Sequence, residues 1–448
     1  MIKQEKTIRI GSGAGYSGDR IEPAADLIKE GDLDYIVFEC LAERTIALAQ
    51  LQKMQDPTLG YDPLLEDRMK ACLPLCVSNN VKLISNMGAA NPAAAAKKTA
   101  ALAKELGLKK IKIAAVYGDD VISMLNFNTQ NFLESGDSLS VLENEIISAN
   151  AYLGVEGILT ALEDGADIIL TGRVADPSLF LAPLVHEFGW SLENYPLLGK
   201  GTALGHLMEC AGQVCGGYFA DGAKKKVSNL GNLGFPIAEI LEDGSFYITK
   251  LKNAGGMVTP ATCKEQLLYE VHNPAEYLTP DVIADFSGVS FQELDKDIVK
   301  VTGATGKPLT GKLKVSVGYR DGYMADAQIS YGGSYALERS RLAIEIIKER
   351  LRAKDLEPED ILFDLIGIDS LFKEGNYPSN PQEIRLRVAA KTKTRETAVQ
   401  LLNEVETLYT NGPAAGGGAS KAVTEIIAIQ SILMDKSKVA PKVEYFKS

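Results

Sequence analysis

Within Gly165–Trp190, GADIILTGRVADPSLFLAPLVHEFGW, a guanidinium, a carboxylate and a hydroxyl follow one another closely as Arg173, Asp176 and Ser178. Ala166–Leu170 is a short apolar run rich in Ile, the pattern of a strand buried on both faces of a parallel sheet. It stops at Thr171-Gly172-Arg173. Apolar residues then resume at helical spacing through Ser178–His186, with Pro177 near the helix start, where a missing N–H costs little. Asp176 or Ser178 is expected to cap that helix. Free backbone N–H groups, the helix dipole and Arg173 would together favour an anionic group such as a carboxylate or phosphate, with Gly172 and Ser178 beside it. The plainer alternative is that Arg173 and Asp176 pair with each other and hold the loop.

Other strand ends carry polar or glycine-rich residues too. Thr7–Ile10 runs into GSGAGYSGDR, where Gly13, Gly15 and Gly18 satisfy the GxGxxG spacing, and Glu39 stands at the end of the next strand, Asp34–Phe38, about 20 residues on, where a dinucleotide fold has its ribose-binding carboxylate. Asp19-Arg20 follows the third glycine at once, and Asp19 would face pyrophosphate with like charge, which Arg20 could offset. The glycines therefore read as an anion-cradling or substrate-approach loop, with a nicotinamide or flavin site as the alternative, and no cofactor is assigned. Lys82–Ser85 ends at Asn86, and Lys110–Val116 ends at Asp119-Asp120. That acidic pair could cap a helix or give hard oxygen ligands to a divalent cation, but no further ligand is identifiable by spacing, so no metal site is assigned. In a parallel sheet these ends lie on one edge, so the polar groups are expected to converge on one crevice.

A second set lies in Gly201–Gly222, read as a helix ending at Gly216-Gly217. His206 and Glu209 are three apart and neighbours on a helix surface, where they could act as base and orienter, bind a metal, or simply satisfy each other. Cys210 lies within reach of His206, with nothing else supporting a nucleophilic cysteine.

The elements that must position these residues alternate strand and helix through the first half of the chain, interrupted by a polar insert at 123–150 that could form a lid or an interface. From about 225 the texture changes to short alternating segments and glycine-rich turns. This predicts an α/β domain over 1–235, with a mostly parallel sheet and flanking helices, and an α+β domain over 236–448. In the latter, strands at 361–368 and 383–390 with helices at 334–352 and 395–408 suggest a ferredoxin-like element. The loop before Lys421 contains Gly416 and Gly417 and is expected to open an apolar helix over Ala422–Met434, so its amides could cradle an oxyanion, or it could be a flexible interdomain turn.

The chain has 448 residues, of which 46% are hydrophobic and 24% charged, an ordinary globular composition, and a formal net charge of −12. With no basic runs, that charge argues against nucleic acid or an anionic membrane as partner. No window approaches a membrane span, and MIKQEKTIRIG reads as an opening strand rather than a signal peptide. A cytoplasmic location is expected, consistent with six cysteines that form no CxxC pair.

The motifs GSGAGYSGDR, ANAYLGVEGI, GADIILTGRVADPSLFLAPLVHEFGW, GHLMECAGQVCGG and GPAAGGG, in that order, resemble the AtuA-like acyclic terpene utilisation family. The resemblance implies a place beside the breakdown of branched, terpene-derived acids and their CoA thioesters, without a reaction to carry over residue by residue. It also implies a small ferredoxin-like companion, expected here as a separate subunit of a homo-oligomeric protein. Together these readings lead to an enzyme acting on a small branched carboxylic acid or its CoA thioester by hydratase or lyase-type chemistry. Arg173, Gly172, Ser178, Asn86, Gly13, Gly15, Gly18, Gly416 and Gly417 would contact the substrate, and Asp176, Glu39, Glu209 and His206 would move protons. An NAD(P)-dependent oxidoreductase and a non-catalytic subunit that binds an acyl-carrying partner are the alternatives.

Overall fold

The structure is a computed structural model and describes residues 6–373 and 381–448. The opening segment is a strand from Thr7 onward, and residues 1–5 lie outside the described ones. The first half alternates as the apolar periodicity requires: β1 (Thr7–Ala14), α1 (Glu22–Glu30), β2 (Tyr35–Phe38), α2 (Glu43–Gln55), α3 (Leu65–Asn79), β3 (Lys82–Ser85), α4 (Pro92–Glu105), β4 (Lys112–Tyr117), β5 (Ile146–Ala151), α5 (Glu156–Glu163), β6 (Ile168–Thr171), α6 (Asp176–Phe188) and α7 (Tyr195–Met208). There follow β7 (Pro236–Leu241), β8 (Phe246–Lys250), α8 (Pro260–Leu268), β9 (Tyr277–Leu278), β10 (Ile283–Asp285), β11 (Ser290–Asp295), β12 (Ile298–Thr302) and β13 (Thr305–Lys307). The remainder comprises β14 (Lys312–Gly332), α9 (Ala336–Ala353), β15 (Asp360–Ile366), β16 (Glu383–Thr392), α10 (Arg395–Glu406), α11 (Leu408–Asn411), β17 (Gly416–Asp435) and β18 (Lys442–Lys447).

Among the described residues, ten strands form one mixed sheet in the order β11-β12-β8-β7-β1-β2-β3-β6-β4-β18. Its centre, β1-β2-β3-β6-β4, is parallel, with Val37 opposite Ile84 and Ile84 opposite Ile169. β2 and β6 are buried along their whole length, which explains their unbroken apolar sequence. Leu27, Met69, Leu73 and Ala96 of α1, α3 and α4 cover one face, and Ile158, Leu179 and Leu204 of α5, α6 and α7 cover the other. The neighbours β3 and β6 thus send their following helices to opposite faces, the arrangement that opens a crevice at the carboxyl ends of a sheet.

The chain divides into two compact units, one running up to Gly318 and including Ile429–Ser448, the other Tyr319–Ala428. These bounds differ from a division at 235/236. The change of texture near 225–245 is where the sheet turns from parallel to antiparallel, since β7 pairs antiparallel with β1. The second unit has the order strand, helix, strand, strand, helix, strand, with β15-β16-β14-β17 as its sheet. That is the ferredoxin-like arrangement. Leu337, Ile347, Leu401 and Val405 of α9 and α10 pack on Ile329, Leu386 and Val388.

Three local expectations change. The helix expected over Ala422–Met434 is part of β17, because its β-branched residues Val423, Ile426, Ile427, Ile429 and Ile432 favour a strand. α7 begins at Tyr195, capped by Asn194 with Pro196 in its first turn, and stops at Met208, well before Gly216. Neither Asp176 nor Ser178 caps α6; Ala175 holds the cap position without a side-chain bond, and Asp176 is the first helical residue.

Candidate functional site

Glu39, Asn86, Arg173 and Asp119 are the residues that immediately follow, or lie within two of, the ends of β2, β3, β6 and β4, and all four are buried. They form a connected network. The Asn86 amide donates to Glu39 Oε1 at 2.8 Å and accepts from the Cys40 N–H at 2.7 Å, while the Leu41 N–H also donates to Glu39 Oε1 at 2.8 Å. Arg173 donates its backbone N–H to Asp119 Oδ2 at 3.0 Å, and Asn150 at the end of β5 donates to the same oxygen at 2.8 Å.

The two carboxyl groups titrate unusually high. Burial pushes Glu39 up to about 7, against the lowering influence of the Arg173 charge and the two N–H donors. Burial likewise raises Asp119 to about 6, although the Arg173 N–H and Asn150 favour its ionised form. Both groups can therefore hold or release a proton near neutral pH, which ordinary aspartate and glutamate cannot.

Arg173 is 1% exposed and its guanidinium is engaged: it donates to the Leu41 and Val174 carbonyls and pairs with Asp176, and its charge sits 4.5 Å from the centre of the Tyr152 ring. Its carboxylate partner is thus supplied by the chain itself. Tyr152 in turn donates to Glu43, whose carboxyl is pushed up by burial but held down to about 2 by the Tyr152 hydroxyl and by Lys314 and Arg173.

Asp119 is 3% exposed, yet it lines the floor of a pocket of about 290 Å³ together with Lys53, Asn91, Asp120, Asn150 and Lys442. Gly172 makes this possible, since a Cβ there would stand 2.4 Å from Asp119 Oδ1. Sequence reasoning considered Asp119 only as a cap or cation ligand. It missed Lys53 and Lys442, which come from opposite ends of the chain. Asn150 and Tyr152 lie inside the ANAYLGVEGI motif, which was the available signal for them.

The other sequence candidates have definite partners. Ser178 donates to Asp281, which also accepts from the Val155 N–H at 3.0 Å, so the hydroxyl fastens α6 to the loop before β10. His206 is buried between Glu209 Oε1 at 2.7 Å and the Leu267 carbonyl at 3.1 Å, with Phe286 stacked on its ring. Burial works against its charge, but Glu209 and the Leu267 carbonyl outweigh it and raise its pKa, so both ring nitrogens of His206 are engaged and its charged form is favoured relative to a free imidazole. Glu209 Oε2 is buried without a hydrogen-bond partner.

The glycine loop is filled by its own chain. Asp19 accepts from the Gly15 N–H at 3.0 Å and the Arg20 N–H at 2.9 Å, so its carboxylate stands where an anion on the Gly15 amide would sit. Arg68, fully buried and paired with Asp62 at 3.0 Å, donates to the Ser17 and Asp19 carbonyls. Gly13 lies against the Phe38 ring, Gly15 against the Cys210 backbone and Gly18 against the Tyr16 ring, so these glycines serve close packing. Gly416 and Gly417 open a strand in the second unit, not a helix N-terminus, with Gly416 against the Tyr331 ring. No group of three or more His, Cys, Asp or Glu side chains that could hold a metal occurs among the described residues. No helix there is long and apolar enough to cross a membrane.

These features define an α/β protein with a buried polar network at the carboxyl edge of a parallel sheet, one member of which, Asp119, lines a pocket. The family model described as acyclic terpene utilisation family protein AtuA matches residues 8–445, and the chain belongs to that family. No curated protein and no solved structure gives a significant match.

Proposed function

We propose that the chain is an enzyme of acyclic terpene or branched-acid breakdown that adds or removes water across a carbon–carbon bond of a small branched carboxylic acid or its CoA thioester. The observation that supports this most is Asp119, a buried carboxyl with its pKa near neutrality on the floor of a pocket at the carboxyl edge of the sheet. In the dehydration direction Asp119 takes the proton from the carbon next to the carboxyl. The C–O bond to the neighbouring carbon breaks, and the hydroxyl leaves as water with the proton that Asp119 has just taken; Glu39 does not line the pocket and is linked to it through Leu41 and Arg173. Hydration is the reverse. Arg173 positions Asp119 through its backbone N–H and, as a charge beside Glu39, limits how far that carboxyl rises. Asp176 pairs with Arg173, and Glu209 hydrogen-bonds His206; in this reading both pairs support the site rather than react.

The test is to incubate the protein in D₂O with 3-hydroxyisovalerate, 3-methylcrotonate and their CoA thioesters and to follow deuterium at C2 and water addition by NMR. Wild type is expected to catalyse both and Asp119→Asn neither. Exchange that survives in Asp119→Asn would overturn the role given to Asp119. A purified wild type inert on every acid and thioester would favour a subunit that binds an acyl-carrying partner.

A further inference from the structure

The pocket above Asp119 carries more information than the presence of a proton acceptor. Its positive charge comes from two lysines on distant elements, Lys53 in α2 and Lys442 at the start of β18. Lys53 donates one of its three N–H groups to the Ala90 carbonyl at 2.8 Å, leaving two to point elsewhere. Lys442 has no ion-pair or hydrogen-bond partner for its ammonium group among the described residues. The wall also includes the start of α4, with its cap residue Asn91 and Pro92-Ala93, together with Asp119, Asp120 and Asn150.

We propose that this pocket takes the substrate as a compact free carboxylate, gripped by Lys53 and Lys442, and not as a CoA thioester. The inference rests on the proton-transfer reading of Asp119 and narrows its substrate class. A thioester carbonyl offers the two ammonium groups only a neutral acceptor, whereas a carboxylate offers a full charge and two oxygens that can accept from both. When the proton on the neighbouring carbon leaves, the carboxylate acquires a second negative charge, and two cations already aimed at it stabilise that state more than the ground state. The start of α4 adds the positive end of a 14-residue helix on the same side. Size agrees, because about 290 Å³ lies at the lower end of small-molecule sites and suits a short branched acid. Asp119 and Asn150 at the floor then face the carbon chain and a hydroxyl on it.

Isothermal titration calorimetry on the full chain separates the possibilities, using isovalerate, 3-hydroxyisovalerate and isovaleryl-CoA as probes. The free acids are expected to bind. Lys53→Ala and Lys442→Ala should each weaken binding at least tenfold, with the melting temperature of unliganded Lys442→Ala unchanged, that of Lys53→Ala lowered by loss of the bond to the Ala90 carbonyl, and Lys442→Arg retaining most of the affinity. Asp119→Asn should still bind the acids. Tighter binding of isovaleryl-CoA that ignores Lys442→Ala, or no acid binding by wild type, would overturn the inference. The two proposals fail differently. If the acids bind through the lysines and nothing exchanges in D₂O, the pocket stands and the proton-transfer reading falls; exchange confined to the thioesters leaves that reading and removes this one.

Discussion

Replacing Asp119 by Asn tests the electrostatics of the crevice without any substrate. Burial lifts the carboxyl from its usual 3.8 to about 6. At about 1.4 kcal/mol for each pH unit, this makes the ionised group a cost of about 3 kcal/mol to the folded state. The sign follows from proton binding. Because the folded state holds the proton more tightly than the unfolded one, the cost is absent below the unfolded value, grows as the pH rises through the interval from 3.8 to about 6, and is complete above it. Asparagine carries no charge, and its side-chain oxygen can still accept from Asn150 and from the Arg173 N–H. The variant should therefore match wild type at about pH 4 and exceed it by up to about 3 kcal/mol at about pH 8. The assay is urea unfolding of both proteins across that range, taking the difference in stability at each pH. A difference that stays flat, or a wild type that is the more stable protein at high pH, would refute the argument, since it would mean that the Arg173 N–H and Asn150 outweigh burial.

Other perturbations have equally definite outcomes. Gly172→Ala puts a Cβ 2.4 Å from Asp119 Oδ1, so the aspartate must move; the expected loss is about 1–3 kcal/mol of stability, read by thermal unfolding, together with deuterium exchange. Arg68→Met leaves Asp62 buried without its cation and frees the carbonyls of the glycine loop, which should cost about 3–5 kcal/mol in urea unfolding. His206 has a raised pKa, so its pairing with Glu209 contributes stability that is fully present below about pH 6.5 and is lost as the pH rises through the higher folded value; His206→Gln should accordingly be most destabilising on the acid side in a pH series of melting temperatures. NADH titrated into the protein should produce no fluorescence change, because the Asp19 carboxylate already sits on the Gly15 amide, and a saturable change would revive the oxidoreductase reading.

The parallel core was legible because β2 and β6 are buried on both sides and so have uninterrupted apolar sequences, and because each strand end carries its own polar residue. From that alone, Glu39, Asn86 and Arg173 could be placed on one edge, and the structure joins them. Periodicity could not reveal what each group faces. Arg173 and Asp176 look like a substrate clamp in sequence, yet only the folded chain brings the Leu41 and Val174 carbonyls onto the guanidinium. Asp19 looks like an obstacle to an anion loop and turns out to be its occupant. The stretch from Ala422 to Met434 has apolar residues at spacings that suit either period, and partnership with β14 in the sheet decides for strand. Lys442 had no local signal at all, because its place beside Asp119 depends on β18 pairing with β4, with Lys442 opposite Tyr117.

The most direct measurement is an experimental structure of Asp119→Asn crystallised with 3-hydroxyisovalerate. The account predicts the acid in the pocket beneath α4, with its carboxylate between Lys53 and Lys442 and C2 facing residue 119. An acid bound at the glycine loop or on Arg173 with Asp176 displaced, and the pocket empty, would contradict it.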